Sequence, residues 1–300
     1  MIRTPLVASV ALLALSGLPT AATAFDLGGL AGSGRVELEY SDIDTQTYSI
    51  VAGDISLSWR SGAVLGFDAA IDTTYDLEDG DDYTNLWAAL VLSTSFGDFA
   101  VGAPRPVTET LRVMPDLTSA RMIDLEFGAL IVPKVILDSL FDNSMTPGLA
   151  FTATAGNLRY GLSYHQIDDA VVTIDYYEGA MVFTGDRTTY FIMGELASYP
   201  FDDEVTLQIG AQHQADRYSF GAALTRAEFW GTTRSSVRLY GGYDVLPVLT
   251  IKGDYLAVQD FEDLASISAE YRIGERGFVE GGVSFYSNDE IYDIGIGLDF

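Results

Sequence analysis

Three groups of side chains in this sequence carry enough charge or basicity to do chemistry. The first is a set of ions within residues 104–146: Arg105, Arg112, Asp116, Asp124 and Glu126, with Glu109 and Arg121 among them. Against them stand Arg35, Arg60 and Arg159, together with Asp68 and Asp72, on segments read below as strands. Acids and guanidiniums that face each other across a narrow, low-dielectric throat focus the field and sort ions by sign. The arrangement expected is Asp116, Asp124 and Glu126 opposite Arg35 and Arg60. The second group is Asp76, Glu78, Asp79, Asp81 and Asp82, crowded into one short segment. Oxygen-rich clusters hold Ca²⁺, but the spacing is not that of an EF-hand loop, and a hydrated charge run is the plainer reading. Beyond that loop-bound Ca²⁺, no cofactor is expected. The third group is His165 and His213, the only histidines, in a chain without cysteine. A hydrolase would need one of them beside a serine and an acid. The chain has no G-x-S-x-G, and without thiolates it builds neither a disulfide framework nor a soft-metal site. No catalysis is expected.

Elements must position these ions, and the chain opens with a segment that does not belong to them. Arg3, an apolar run from Leu6 to Leu15 and the small-residue stretch Ala22-Thr23-Ala24 follow the order of a cleaved secretory leader, residues 1–24. Cutting there leaves a single domain, 25–300. With Arg3 gone, 15 basic residues stand against 43 acids, a net charge of −28. That excludes the basic face that nucleic acid requires. Yet the chain is 48% hydrophobic and 12% aromatic, far from the composition of a disordered segment.

The period of the pattern says where the apolar groups go. No apolar run approaches the ~18–20 residues of a membrane helix; Leu86–Leu92 is the longest. Instead, alternation recurs. Tyr292, Ile294, Ile296, Leu298 and Phe300 are separated by Asp293, Gly295, Gly297 and Asp299, and 63–75, 204–213 and 277–287 repeat the rhythm. Successive strand residues point to opposite faces, so each segment has one apolar face and one polar or small face. Most segments match the ~9–11 tilted residues that cross a bilayer as a strand. Sixteen are expected between residues 33 and 300, including one at 171–183 where a long loop is the competing reading.

The expected fold is therefore all-β: a closed antiparallel transmembrane barrel of about sixteen strands. Sheets in lipid must close to satisfy their backbone, and about sixteen strands leave a lumen wide enough for water. The polar positions Asp54, Ser56, Ser58 and Arg60, and Ser266, Ser268, Glu270 and Arg272, suit such a wet interior. Residues 104–146 break the rhythm. They hold Pro104, Pro106, Pro115 and Pro133, and also many aliphatic residues. A loop that long is usually functional, and its apolar content points to a loop folded inward onto the wall.

Three features give the chain a family resemblance: the terminal strand ending in Phe300, the strand Phe96-Gly97-Asp98-Phe99-Ala100-Val101-Gly102 before the long loop, and the leader. In these the chain resembles the general porins of Gram-negative bacteria, notably those of alphaproteobacteria. The resemblance implies passive diffusion of small hydrophilic solutes and ions across the outer membrane. It implies a third external loop bent into a constriction, with acids on the loop facing bases on the wall. It also implies a terminal strand read by the barrel-assembly machinery, and a homotrimer set in outer-membrane lipid and lipopolysaccharide, to which the Asp76–Asp82 loop could bridge through divalent ions. Met114-Pro115-Asp116-Leu117 stands roughly where that family often has Pro-Glu-Phe-Gly. The acidic excess suggests cation preference. A lipid-hydrolysing barrel and a closed structural barrel are the competing readings.

Overall fold

A computed structural model describes residues 25–300 apart from 27–28, 44–45, 62–63, 118, 128–133, 143–144, 169–171, 230–231 and 288; the expected leader, residues 1–24, lies outside the described residues. Seventeen strands form one sheet. A two-residue strand, β1 (Phe25–Asp26), pairs with the beginning of β2 (Leu30–Ile43). The wall continues through β3 (Gln46–Ser61), β4 (Leu65–Asp76), β5 (Asp82–Ser93) and β6 (Asp98–Ala103). After the long loop come β7 (Gly148–Ala155), β8 (Leu158–Asp168), β9 (Thr173–Thr184), β10 (Thr188–Ser198) and β11 (Asp203–Gln214). The last six are β12 (Tyr218–Phe229), β13 (Thr232–Leu246), β14 (Leu249–Val258), β15 (Leu264–Ile273), β16 (Gly277–Tyr286) and β17 (Asp289–Asp299).

From β2 to β17 each strand pairs antiparallel with the next, and β17 pairs antiparallel with β2, so the sheet has no open edge. The seam is held to its last residue: the Gly34 N–H donates to the Phe300 carbonyl at 2.8 Å and the Phe300 N–H to the Gly34 carbonyl at 2.9 Å. The result is the expected closed barrel of sixteen strands, and the segment 171–183 is strand β9 rather than loop. Only β1 was not foreseen.

Outward positions are apolar and open. Leu162 is 64% exposed, Leu90 59%, Ile294 56% and Leu224 55%. An apolar belt of this extent is foreign to a water-facing surface and suits a hydrocarbon one. Aromatic side chains sit at both ends of it. Trp59 pairs with Phe67, Phe183 with Tyr190 and Tyr218 with Tyr243 near the short turns. Tyr164 and Tyr177, with ring centroids 5.3 Å apart, lie near the other rim with Tyr292. These are the two interfacial girdles expected of a transmembrane barrel. Inward glycines make room for large neighbours. A Cβ at Gly221 would meet the Tyr240 ring at 2.3 Å, and one at Gly297 the Phe278 ring at 2.3 Å.

The connection between β6 and β7 is the third on its rim, after β2–β3 and β4–β5, and among the described residues it carries the helices α1 (Val107–Thr110), α2 (Arg121–Glu126) and α3 (Lys134–Asp142). It runs inside the barrel, where its apolar side chains build three clusters with the wall.

Candidate functional site: the loop and the lumen wall

Each segment of the loop is held by groups that the strands aim inward. At its start, His165 on β8 is fully buried, with Nε2 2.9 Å from the Pro104 carbonyl oxygen and Nδ1 3.1 Å from Glu178. Ser163 accepts the Val107 N–H at 3.1 Å and donates to Glu178 at 2.6 Å. Val107, Leu111 and Met114 then pack on Ala180, Val182, Phe191, Met193 and Ala223. Midway, Arg238, 2% exposed, donates to the carbonyls of Pro115 at 2.9 Å and Asp116 at 2.7 Å while pairing with Asp254 at 2.6 Å. Leu117, Ile123 and Phe127 follow onto Leu256, Val258, Leu264 and Ile291. At α3, the N–H groups of Lys134 and Val135 donate to the Glu195 carboxylate at 2.8 and 3.1 Å, a helix start capped by the wall. Lys134 also pairs with Glu204. Val135 and Ile136 close the contact against Trp87, Ile167 and Ile174.

The loop leaves a cavity of about 780 Å³ against the opposite wall, bounded largely by β2–β4 and β13–β16. Nine carboxyl side chains and five cationic ones line it, which gives the space a net negative lining. Besides the pairs that Arg112 makes within the loop, its ion pairs form two sets. Between loop and wall, Arg105 reaches Asp54 at 2.9 Å and Arg121 reaches Asp72 at 2.9 Å. Within the wall, Arg35 pairs with Glu280 at 2.9 Å and Glu37 at 3.4 Å, with its guanidinium 3.6 Å from the centre of the Phe278 ring. Lys252 pairs with Glu270 and Glu280 at 2.9 Å each, and Arg272 with Glu270 at 2.7 Å.

The expectation of an acidic loop against a basic wall needs correction. In the direct loop–wall ion pairs the polarity is reversed: the loop supplies Arg105 and Arg121, and the wall supplies Asp54 and Asp72. Asp116 is held at 3.1 Å by Arg112 of its own loop, which also pairs with Glu109 at 3.7 Å. Burial works to raise the Asp116 carboxyl, but Arg112, Arg121, Arg238 and Arg35 outweigh it and hold the group below the ordinary carboxylate range. Asp116 and Arg35 do line the same cavity. Asp124 turns back to accept the Leu117 N–H at 3.0 Å. The side chain of Glu126 lies outside the described residues. Arg60 sits near the short-turn rim with Asp68, 3.0 Å away. Arg159 reaches the Thr110 carbonyl at 3.5 Å. The physical reason is local: Arg105 and Arg121 each find an inward carboxylate on the wall, whereas Arg112 takes the acids of its own loop.

Residues 76–82 form a turn in which Asp76 accepts the Glu78 N–H at 2.8 Å. Among the described residues no group of three or more histidine or acidic side chains is placed to hold a metal, so Asp76, Glu78, Asp79, Asp81 and Asp82 do not converge. His165 is an anchor of the loop, and its neighbour Ser163 turns its hydrogen toward Glu178 instead of the imidazole. Sequence reasoning singled out neither Lys252 nor the Arg238–Asp254 clamp. Parity places all three inward, but their partners are set by register.

No family model matches the chain, and no curated protein matches it. Solved structures do. A variant of Rh. blastica porin is 16% identical with a TM-score of 0.65, covering 90% of this chain and 100% of its own. A loop-deletion mutant of OmpT, an outer membrane protein of Vibrio cholerae, is 12% identical with a TM-score of 0.69, covering 92% and 99%. These likenesses show the fold. The chain is a closed sixteen-stranded antiparallel β-barrel of the porin type, with its third long-side connection inside the lumen.

Proposed function

We propose that this chain is an outer-membrane channel for passive diffusion of small hydrophilic solutes and ions, with a preference for cations. The observation that carries the reading is the pairing of an apolar, aromatic-rimmed exterior with a lumen lined by ionised side chains around a loop-narrowed cavity. An apolar outer face fits lipid, and a charged inner face at this strand number fits water. The excess of carboxyl groups on the lining favours cations. The buried state of His165, whose two nitrogens both face oxygen partners inside the protein, supports a channel over a lipid hydrolase.

On the same reading, residues 1–24 direct export, the Phe300 strand is recognised during assembly, and three copies associate in the membrane. Planar-bilayer recording tests the proposal. Expected are stepwise conductance in groups of three and, in a tenfold salt gradient, a reversal potential of the cation-selective sign. A silent bilayer overturns the channel; the opposite sign overturns the cation preference.

A further inference from the structure

Inward side chains are ionic around the loop-narrowed cavity and apolar where the loop covers them. A second cavity, of about 400 Å³, combines the two. It lies against β2–β7, toward the short turns, and the loop contributes Pro104, Arg105 and Thr110 to its edge. The space exists because the inward side chains there are small: Ala70 on β4, Ala89 on β5, Ala100 on β6 and Ala150 on β7, with Val91 beside them. Ala89 and Val91 are 3% and 2% exposed, and Ala70, Ala100 and Ala150 are half-buried. At the short-turn end stands Asp98, the first residue of β6, opposite Thr152 on β7. Two residues on, about 7 Å along the strand, Ala100 lies opposite both Val91 and Ala150. Arg60 lies within electrostatic range of Asp98 but is bonded to Asp68, 3.0 Å away. Among the described residues Asp98 has no ion pair of its own, so two carboxylates share one guanidinium and this end is acidic by one charge. At the other end Arg105 is taken by Asp54.

A concave, largely apolar space edged by a few charged groups is the form of a small-molecule site, and its volume falls in the ~300–1,000 Å³ that such sites span. Apolar wall facing a wet lumen gains free energy when an apolar group covers it. The occupant that fits has an apolar body for the alanine and valine wall and a cationic head for the surplus carboxylate. An ammonium is compact and brings three donors, enough for Asp98 and the facing Thr152 hydroxyl. A carboxylate head would meet Asp98 and Asp68 in repulsion, with Arg60 already engaged. We propose that this niche is a solute subsite for primary amines with an apolar body the size of a phenylethyl group. The ammonium sits on Asp98 and the body lies across Ala100, Ala150 and Val91. The proposal names a substrate class for the channel argued above and rests on that reading.

Saturation-transfer NMR of phenethylamine with the detergent-folded barrel reads occupancy without requiring conductance. Saturable transfer to the ring protons is expected. Phenylpropionate, with the same body and the opposite charge, and methylamine, with the charge and no body, are each expected to bind about tenfold more weakly. Asp98→Asn removes the surplus charge and is expected to weaken phenethylamine several-fold. Ala100→Leu keeps the carboxylate, fills the niche and is expected to do the same. Unchanged binding in either folded variant overturns the subsite, and so does phenylpropionate binding as well as the amine. Should one variant fail to fold, the other decides. Planar-bilayer recording of the same preparation separates the two readings. A barrel that conducts and does not bind the amine loses the subsite alone; one that binds it and stays silent loses the channel, and with it the transport role of the niche.

Discussion

The two sides of the lumen obey the same alternation and have opposite chemistry. On β9–β12 the inward positions are Ala180, Val182, Phe191, Met193 and Ala223, and the loop covers them. On β2–β4 they include Arg35, Glu37, Asp54 and Asp72, and the cavity opens against them. One wall is a docking face for a loop; the other faces water. Inward therefore does not mean wet in this barrel. The loop spans that difference by presenting aliphatic side chains to the first wall and guanidiniums to the second. Burial of Val107, Leu111 and Met114 stabilises the docked loop by about 1.5–3 kcal/mol per side chain, whereas the partly exposed ion pairs on the other side mainly set charge.

The comparison breaks most sharply at Arg238. It is buried on β13, between the docked face and the cavity wall, and serves Asp254 and two loop carbonyls at once. Arg238→Ala strands a carboxylate and two acceptors, and is expected to cost about 3–5 kcal/mol. Limited proteolysis within the loop and the melting transition of the barrel measure it. Native-like protection of the loop in Arg238→Ala would show that the apolar contacts alone suffice to dock it.

Next in size is a test of the outer face against both inner ones. Ile294 is 56% exposed, at a position where apolar and polar residues alternate along β17. Ile294→Arg is expected to destabilise the barrel in lipid by about 2–4 kcal/mol, read from reversible urea unfolding in vesicles. The same substitution one residue on, Gly295→Arg, points into the lumen; it leaves the lipid contacts alone and acts on conductance.

On the wet side, Asp54→Asn with Asp72→Asn removes the carboxylates that hold Arg105 and Arg121. The two guanidiniums then face the cavity unneutralised. Cation over anion permeability is expected to fall several-fold, with little change in stability, in reversal-potential measurements. An unchanged ratio would move the selectivity determinant away from this contact.

How much of this was legible in the sequence depends on range. The strands were, because lipid on one face and protein or water on the other impose a period of two that each segment records by itself. The inward loop was legible because its prolines and aliphatic residues cannot belong to either an edge strand or a solvated loop. The pairing of charges was not. Arg35 meets Glu280 across 245 residues of chain, and only closure of β17 on β2 brings them together. Asp116 and Asp124 have loop partners four and seven residues away, yet nothing in their spacing says that they turn toward the loop itself. A family pattern of acidic loop and basic wall gave the right residue types for the lumen and the wrong assignment of sign at the contacts.

The smallest effect expected is at Arg60, and its smallness sharpens the distinction between seam and rim. Arg60 pairs with Asp68 near the short turns, with both side chains over a third exposed. A pair so open to water loses most of its Coulomb gain to solvent and to side-chain entropy, leaving about 0–1 kcal/mol. Arg60→Gln should therefore leave the melting transition within error and shift single-channel conductance only modestly, through the field at the mouth of the lumen. Arg35 sits at the seam; its own side chain is as exposed as that of Arg60, but its partners Glu37, Glu270 and Glu280 are far more buried than Asp68, and Asp299 adds a fourth acid. Arg35→Gln leaves four carboxylates sharing fewer cations, and so should cost more than Arg60→Gln in both stability and cation flux. Equal effects of the two would mean that the wall network is as well hydrated as the rim, and that position along the pore axis, not burial, governs what a lumen charge does.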